Sequence, residues 1–258
     1  VSYEMSDVGF DPSLMPQMLS SLKARNPKLF LLVTTPVAQI AKGKIHDIPL
    51  VFTAITDPVE AGLIQEKNKA DASITGSSEM QDLKAFLNFA KVLLPKAKKI
   101  GLLYATSESN DIALVKMMSA NASKFGMSVV ALPIEETRDI PARMQKFKGN
   151  VDFIYVGTSG PIQPALPAIA AEARKMQIPL FNAESQAVRD GLALASFGVD
   201  YFAVGKNAGI IAAKILRGEE VSNIAPLYPK PEDHHGVISK KLSAEFGITI
   251  PSNVEIVE

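Results

Sequence analysis

The stretch Ile48–Leu63, IPLVFTAITDPVEAGL, contains a short apolar run that passes directly into a polar turn. Its residues Leu50–Ile55 are rich in Val, Ile, Leu and Phe, which is typical of a strand buried on both faces of a parallel sheet. Thr56-Asp57-Pro58 follows at the carboxyl end of that strand. Ligands bind at such strand ends in open α/β sheets, so the stretch predicts both a fold class and the place of a site.

Similar apolar runs predict further buried strands at Leu29–Val33, Ile100–Tyr104, Ser128–Ile134, Phe153–Val156, Pro179–Phe181 and Leu192–Ser196. Helical patterns lie between them. The clearest has apolar residues at spacings of three and four from Tyr201 to Ile215, with Asp200 as its cap and Gly218 as its end. Because strands and helices alternate, the sequence predicts an α/β fold with parallel, doubly wound sheets.

Three other segments are predicted with less regular patterns. A helix opening at Ser109 or Asn110 and closing at Gly126 has one apolar stripe, formed by Ile112, Val115, Ala122 and Phe125. Prolines delay the helix after Gly160 until near Ala165, because proline breaks a helix beyond its first turn. Ser222–Gly236, with three prolines, is predicted to be a loop or crossover.

Composition narrows the class of protein. The 258 residues leave room for two domains with separate cores, and 47% hydrophobic with 21% charged residues is ordinary for a packed globular chain. Lys+Arg and Asp+Glu both number 27, so no general attraction to nucleic acid is expected. Cysteine is absent, which excludes disulfides and thiolate metal sites but leaves the compartment open.

Polar residues follow five of the predicted strands, just where a helix begins. Hydroxyls, amides, acids and free backbone N–H groups at a helix N-terminus favour a ligand with a carboxylate or other anionic group. Each such residue is also a common helix cap or turn residue, and Asp57 and Asp200 are open to either interpretation. The candidate ligand-binding residues are Thr35, Gln39, Thr56, Asp57, Tyr104, Ser107, Asn110, Thr158, Ser159, Glu184 and Asp200.

Motifs of the common enzyme classes are absent. No G-x-G-x-x-G follows a strand, and phosphate-loop, H-E-x-x-H and G-x-S-x-G patterns do not occur. His46 and the pair His234-His235 lack further ligands at metal-binding spacing, so no metal or cofactor is expected.

The order of motifs along the chain resembles the ABC transporter substrate-binding protein family, whose members include tryptophan- and phenylalanine-binding proteins. The resemblance runs from about Val1 to Pro251 and rests on the following segments: Thr35–Gln39, Ile48–Leu63, Ile74–Gly76, Leu94–Gly101, Tyr104 with Ser107, Glu108 and Asn110, and Gly198–Tyr201 followed by Gly205. It implies a type 1 periplasmic-binding fold, in which two Rossmann-like lobes with parallel sheets enclose a ligand cleft.

The resemblance also implies domain boundaries. Lobe 1 would comprise residues 1–75 and 196–229, and lobe 2 residues 76–195 and 230–258. Family members begin with a strand and helix ahead of the strand that Val1–Met5 resembles, so the first βα unit of lobe 1 is expected to be missing from this sequence.

A second departure from the family concerns the ligand. Amino-acid-binding relatives commonly carry Thr-Asp-Asn where this chain has Thr158-Ser159-Gly160. An acid for a ligand ammonium group is therefore absent there, and Asp57, Glu108, Glu184 or Asp200 are the candidates to replace it. Whether the ligand is an amino acid or a related carboxylate or amide stays open.

The function implied is that of the extracytoplasmic solute-binding component of an ABC importer, a non-enzymatic monomer that closes on a small polar metabolite and serves a permease. The expected location is periplasmic, or extracytoplasmic and membrane-tethered, with the signal peptide removed. Two alternatives remain: a ligand-sensing regulatory domain of the same fold, and a small-molecule enzyme using Asp57 or Glu184 as general base.

Overall fold

Strands and helices alternate along most of the chain, as the sequence predicts. The computed structural model describes residues 1–9 and 11–258. The strands are β1 Phe30–Val33, β2 Leu50–Ile55, β3 Ile74–Ser78, β4 Lys99–Ala105, β5 Ser128–Ile134, β6 Phe153–Val156, β7 Leu180–Asn182, β8 Ala195–Val199, β9 His234–Ser239 and β10 Glu255–Val257. The helices are α1 Met15–Lys23, α2 Thr35–Lys44, α3 Leu83–Leu93, α4 Ser109–Ala122, α5 Ile140–Met144, α6 Leu166–Lys175, α7 Gln186–Arg189, α8 Tyr201–Leu216 and α9 Lys240–Phe246.

The chain forms two compact units. The first contains Val1–Met80 and Tyr201–Tyr228, and the second contains Gln81–Asp200 and Pro229–Glu258. The family resemblance implies changes of unit at residues 75/76, 195/196 and 229/230, whereas in the structure they fall at 80/81, 200/201 and 228/229. In the structure the middle change falls after Asp200, because β8 pairs with β7 and β9 in the sheet of the second unit.

The described part of the first unit has a three-stranded parallel sheet in the order β1-β2-β3. The register between β2 and β3 shifts at Ala54, whose φ of 54° is unusual for a residue other than glycine. Packing of α2 and α8 against this sheet buries Ala38, Ala41 and Ala208. Val1–Met5, which the family resemblance equates with a strand, has no regular secondary structure, so that expectation is wrong.

The second unit has a seven-stranded sheet in the order β10-β9-β8-β7-β6-β4-β5. Its pairs are parallel except for β8 and β9, which run antiparallel. Phe86 of α3 packs over the sheet against Phe153, Tyr155 and Phe181, with ring centroids 4.5 to 6.4 Å apart. These aromatic contacts fix α3 over β6 and β7.

The predicted helix from Tyr201 is confirmed, and Gly218 follows it with a φ of +97°. The stripe predicted for α4 is wrong in part, because Ile112 is exposed and the buried face contains Leu114 and Met118 instead. Leu114 lies over Gly157, where any Cβ would meet its Cδ2 atom at 2.3 Å, and this fit sets the helix face.

Other elements follow or correct the sequence-based expectation. The α-helix after Gly160 begins at Leu166, which confirms the predicted late start near Ala165, and a 3-10 turn at Gln163–Ala165 precedes it. His234–Gly236, predicted as loop, forms the start of β9. None of the helices in the described part of the chain combines the length and apolar character that a membrane-spanning helix needs.

Candidate functional site

In the first unit, two strained backbone positions flank the carboxyl ends of β1 and β2. Thr34 has a φ of 78° and Ala54 a φ of 54°, and neither is a glycine. Such conformations cost of order 1–3 kcal/mol each and concentrate at functional sites. Thr34 directs the chain into α2, and the next residue, Thr35, is buried as its first residue. The candidate Thr35 therefore lies at a tightly constrained helix start.

Thr56 and Asp57 lie together at the end of β2. The Thr56 hydroxyl donates to Oε1 of Glu79 at 2.6 Å, and both residues are buried. The Asp57 carboxylate accepts from the N–H groups of Val59 and Glu60 at 2.9 and 3.1 Å, so it caps its own turn. Asp57 therefore acts as a turn residue, and its Oδ1 atom accepts both hydrogen bonds.

Two more polar side chains belong to this edge of the first unit. Gln39, on α2, donates from Nε2 to the carbonyl of Ala61 at 3.0 Å, which ties α2 to the segment after β2. Burial raises the pKa of Tyr228 to about 12, and the negative charge of Asp57 acts in the same direction. The Tyr228 phenol is therefore neutral beside Asp57 at physiological pH.

In the second unit, three candidate segments follow adjacent strands. The sheet places β4, β6 and β7 side by side, and all three run parallel. Their carboxyl ends therefore lie at one edge. Ser107, Ser159 and Glu184 follow these strands, while Tyr104 is half-buried within β4. Ser107 is exposed, whereas Ser159 is buried.

A cluster of polar side chains surrounds Asp111 at the start of α4. Asp111 Oδ2 accepts from the N–H of Ala105 at 2.6 Å, and Oδ1 accepts from Nδ2 of Asn110 at 3.1 Å. Burial raises the pKa of Asp111 to about 6, although the Ser159 hydroxyl and the Ala105 N–H act in the opposite direction. Burial also raises the pKa of Glu108 to about 7, with a further contribution from the charge of Asp111.

An amide pair lies beside this cluster, at the ends of β6 and β7. Gln163 donates from Nε2 to the carbonyl of Gly157 at 2.7 Å and to Oδ1 of Asn182 at 3.3 Å. Asn182 Oδ1 also accepts from the N–H of Glu184 at 2.8 Å. Burial raises the pKa of the Glu184 carboxyl, which is half-buried. Thr158, also half-buried, is the residue after Gly157.

The neighbours of Asp200 differ from those of the Asp111 cluster. It is exposed, and it lines a cavity of about 190 Å³ within the second unit together with Arg189, His235 and Glu255. Arg189 and Glu255 form an ion pair of 2.6 Å there. Asp200 therefore lies among other charged side chains, whereas Asn110 donates a hydrogen bond to Asp111 and the Ser159 hydroxyl interacts with it.

Sequence reasoning missed several buried polar residues. Asp111 follows the candidate Asn110 directly, and Glu79 follows β3, which was not predicted as a strand. Asn182 is wholly buried at the end of β7, directly after the predicted strand Pro179–Phe181, and is not among the candidate residues. Burial of a carboxylate or amide depends on tertiary packing, so the strand-end position was the one signal available. No group of His, Cys, Asp or Glu side chains suited to a metal ion occurs in residues 1–9 and 11–258.

Proteins of known family are similar to this chain over most of its length. The family model described as ABC transporter substrate binding protein matches residues 1–257. A tyrosine-binding protein of Clostridioides difficile (strain R20291) is 36% identical over 196 residues, which are 76% of this chain and 56% of that protein. The chain thus spans little more than half the length of this curated relative.

Solved structures of substrate-binding proteins have a similar fold. The ABC domain from Streptococcus pneumonia, in complex with L-Trp, is 28% identical with a TM-score of 0.89, covering 96% of this chain and 84% of that one. The ligand-free, open structure of a substrate-binding protein with adhesive properties from Clostridium difficile is 31% identical with a TM-score of 0.72, at the same coverages. The predicted fold class, α/β with the parallel sheets of periplasmic binding proteins, is confirmed. The chain belongs to the ABC transporter substrate-binding protein family.

Proposed function

We propose that this protein is the extracytoplasmic solute-binding component of an ABC importer, and that its ligand is an amino acid with an aromatic side chain. Family membership supports a substrate-binding role. A tyrosine-binding relative and a structure with bound L-Trp support an aromatic amino acid over other small polar metabolites. The protein binds without catalysing a reaction, delivers its ligand to a permease, and works as a monomer.

The observation that carries this proposal is the set of buried polar groups at the carboxyl ends of β4, β6 and β7. Asn110, Ser159 and Asn182 are each at most 8% exposed, and two half-buried glutamates, Glu108 and Glu184, accompany them. Hydroxyls, amides and acids in such a place can pair with both charged groups of an amino acid. Tyr104 contributes an aromatic surface for the ligand's ring.

The first unit supplies a second set of polar groups. Thr35, Gln39, Thr56 and Asp57 lie at the carboxyl ends of β1 and β2 or on the helix that follows β1. We propose that the ligand binds to one unit first and that hinge closure adds the hydrogen bonds of the other, as in other periplasmic binding proteins. The remaining candidates, Ser107, Thr158 and Asp200, would line the same ligand.

Calorimetric titration of the protein with each of the twenty amino acids tests this function. We expect a clear heat of binding with tyrosine, tryptophan or phenylalanine and none with the acidic or basic amino acids. Asn110→Ala should then weaken binding at least about tenfold, which corresponds to 1.4 kcal/mol. Asn223→Ala, on the 3-10 turn Val221–Asn223 of the first unit, is the control and should bind as the wild type does.

Three results would each contradict part of the proposal. Silence of the wild type toward all twenty amino acids would refute the ligand class. If chromatography after incubation detects conversion of a bound amino acid into a product, the non-enzymatic role would be refuted. Unchanged affinity in both Asn110→Ala and Asp57→Ala, with intact circular dichroism spectra, would refute the placement of the site while leaving the function in place.

A further inference from the structure

Two carboxyl groups meet at the start of α4 in the second unit. Glu108 occupies the N-cap position of the helix but makes no side-chain capping bond, and Asp111 lies in its first turn. Oε1 of Glu108 lies 4.0 Å from the place that a Cβ would occupy at Gly160, so the carboxyl reaches toward the segment after β6. The absence of a side chain at Gly160 leaves the space beside this carboxyl open.

Neither carboxyl has a positive partner in the described part of the chain. The ion pairs there involve other acids, and both oxygens of Asp111 accept hydrogen bonds from neutral N–H groups. Burial raises the pKa of Glu108 to about 7, which reflects a carboxylate deprived of water without compensation. A cation arriving beside Glu108 would remove this penalty.

A third group points to the same occupant. Asn110 is only 8% exposed, and its Oδ1 is buried without a hydrogen-bond partner, although its Nδ2 donates to Asp111. An unsatisfied buried carbonyl oxygen costs about 1–3 kcal/mol, and a hydrogen-bond donor of a bound ligand would remove this cost. An ammonium group has three donors and no acceptor, which matches the Glu108 carboxylate and the free amide oxygen of Asn110.

We propose that Glu108 and the Asn110 amide oxygen form a subsite for the protonated primary amine of the ligand, with Asp111 as the positioning residue that holds Asn110. This inference rests on the proposed function, since it names the residues that read one end of the amino acid. The positive end of the helix dipole, about half a unit charge, opposes a cation there. Up to two full negative charges from Glu108 and Asp111 outweigh it.

The test compares ligands that differ only in the amine. L-Tyrosine and 3-(4-hydroxyphenyl)propionate share a ring and a carboxylate, but the second lacks the amino group. Each is titrated calorimetrically into the wild type, Glu108→Gln and the control Glu219→Gln, an exposed residue beyond α8 in the first unit. We expect Glu108→Gln to weaken L-tyrosine binding about 10- to 100-fold, the range for a lost hydrogen bond to a charged group.

The same substitution should leave the affinity for the propionate unchanged or increase it, because no carboxylate is then left buried and unpaired. A gain of this kind cannot come from misfolding. Equal losses for the two ligands, or no loss for L-tyrosine, would overturn the subsite while the proposed function stands. A wild type that binds neither these ligands nor any of the twenty amino acids would overturn the subsite and the proposed function together.

Discussion

Replacing Asp111 by asparagine should change how the stability of the protein depends on pH. The asparagine side chain has the same shape, and its oxygen can still accept from the N–H of Ala105, while rotation of the Asn110 amide preserves the second bond. The substitution therefore removes the titration of Asp111 and leaves the geometry in place.

The magnitude follows from the pKa of Asp111, which burial raises from 3.8 to about 6. Between these values the folded protein holds a proton that the unfolded chain has lost, so the contribution of Asp111 to the free energy of unfolding falls as pH rises through this window and is then constant. Two pKa units correspond to about 3 kcal/mol. Glu108 is present in both proteins. The charge of Asp111 also raises the pKa of Glu108, so removing that charge stabilises the variant at high pH in the same direction.

Urea unfolding at pH 4, 5, 6 and 7.5, followed by circular dichroism, measures the effect. The stability of Asp111→Asn relative to the wild type should increase by about 3 kcal/mol from pH 4 to pH 7.5. Exposed Asp190 provides the matched control, and its asparagine variant should follow the wild type at every pH. A constant difference between Asp111→Asn and the wild type across this range would refute the inference that burial raises the pKa of Asp111.

Four further substitutions, one of them a control, test close contacts and hydrogen bonds by their effect on urea midpoints. Gly198→Ala should cost about 3 kcal/mol, since its Cβ would lie 2.0 Å from a backbone carbonyl oxygen, whereas Gly209→Ala in the open middle of α8 should add about 0.5–1 kcal/mol; a similar effect of both would contradict the close approach at Gly198. Thr56→Val should cost about 1.5–3 kcal/mol by removing the 2.6 Å donor to Glu79, and an unchanged midpoint would show that this bond contributes nothing. Lys42→Met should cost about 2 kcal/mol because the ammonium serves three oxygen acceptors at 2.9 to 3.0 Å, and a cost below about 0.5 kcal/mol would reduce it to an ordinary surface lysine.

Strands with continuous apolar runs were the most predictable part of the fold. The prediction that they are buried on both faces holds for β6 but not for β5, which lies at the edge of its sheet and is mostly half-buried. Ser128–Ile134 and Phe153–Val156 agree with β5 and β6 at both ends. The strand β3, Ile74–Ser78, was missed because it has one large apolar residue. Its burial comes from tertiary contacts instead: Gly76 lets the backbone approach Phe52, and the Thr75 hydroxyl donates to the carbonyl of Ile224 at 2.6 Å.

The placement of the candidate polar residues at strand ends was predictable, but the hydrogen bonds of each side chain were less so. Strand order explains the first, since the carboxyl ends of parallel strands meet at one edge and carry Asn110, Ser159 and Glu184 there. The second depends on the local surroundings of each side chain. Asp57 Oδ1 accepts from the N–H groups of its own turn, and the buried Asp111 accepts from the Ala105 N–H and the Asn110 amide.

The hydrogen bond between Thr75 and Ile224 spans 149 residues, and this separation has a consequence for synthesis. At about 5–20 residues per second, roughly 7–30 s pass before the ribosome adds the segment that completes the first unit. During that time Val51 lacks the cover of Ala208 and Ile211. A nonsense codon at Tyr201 would therefore unfold the first unit, even though β1, β2 and β3 would all have been translated.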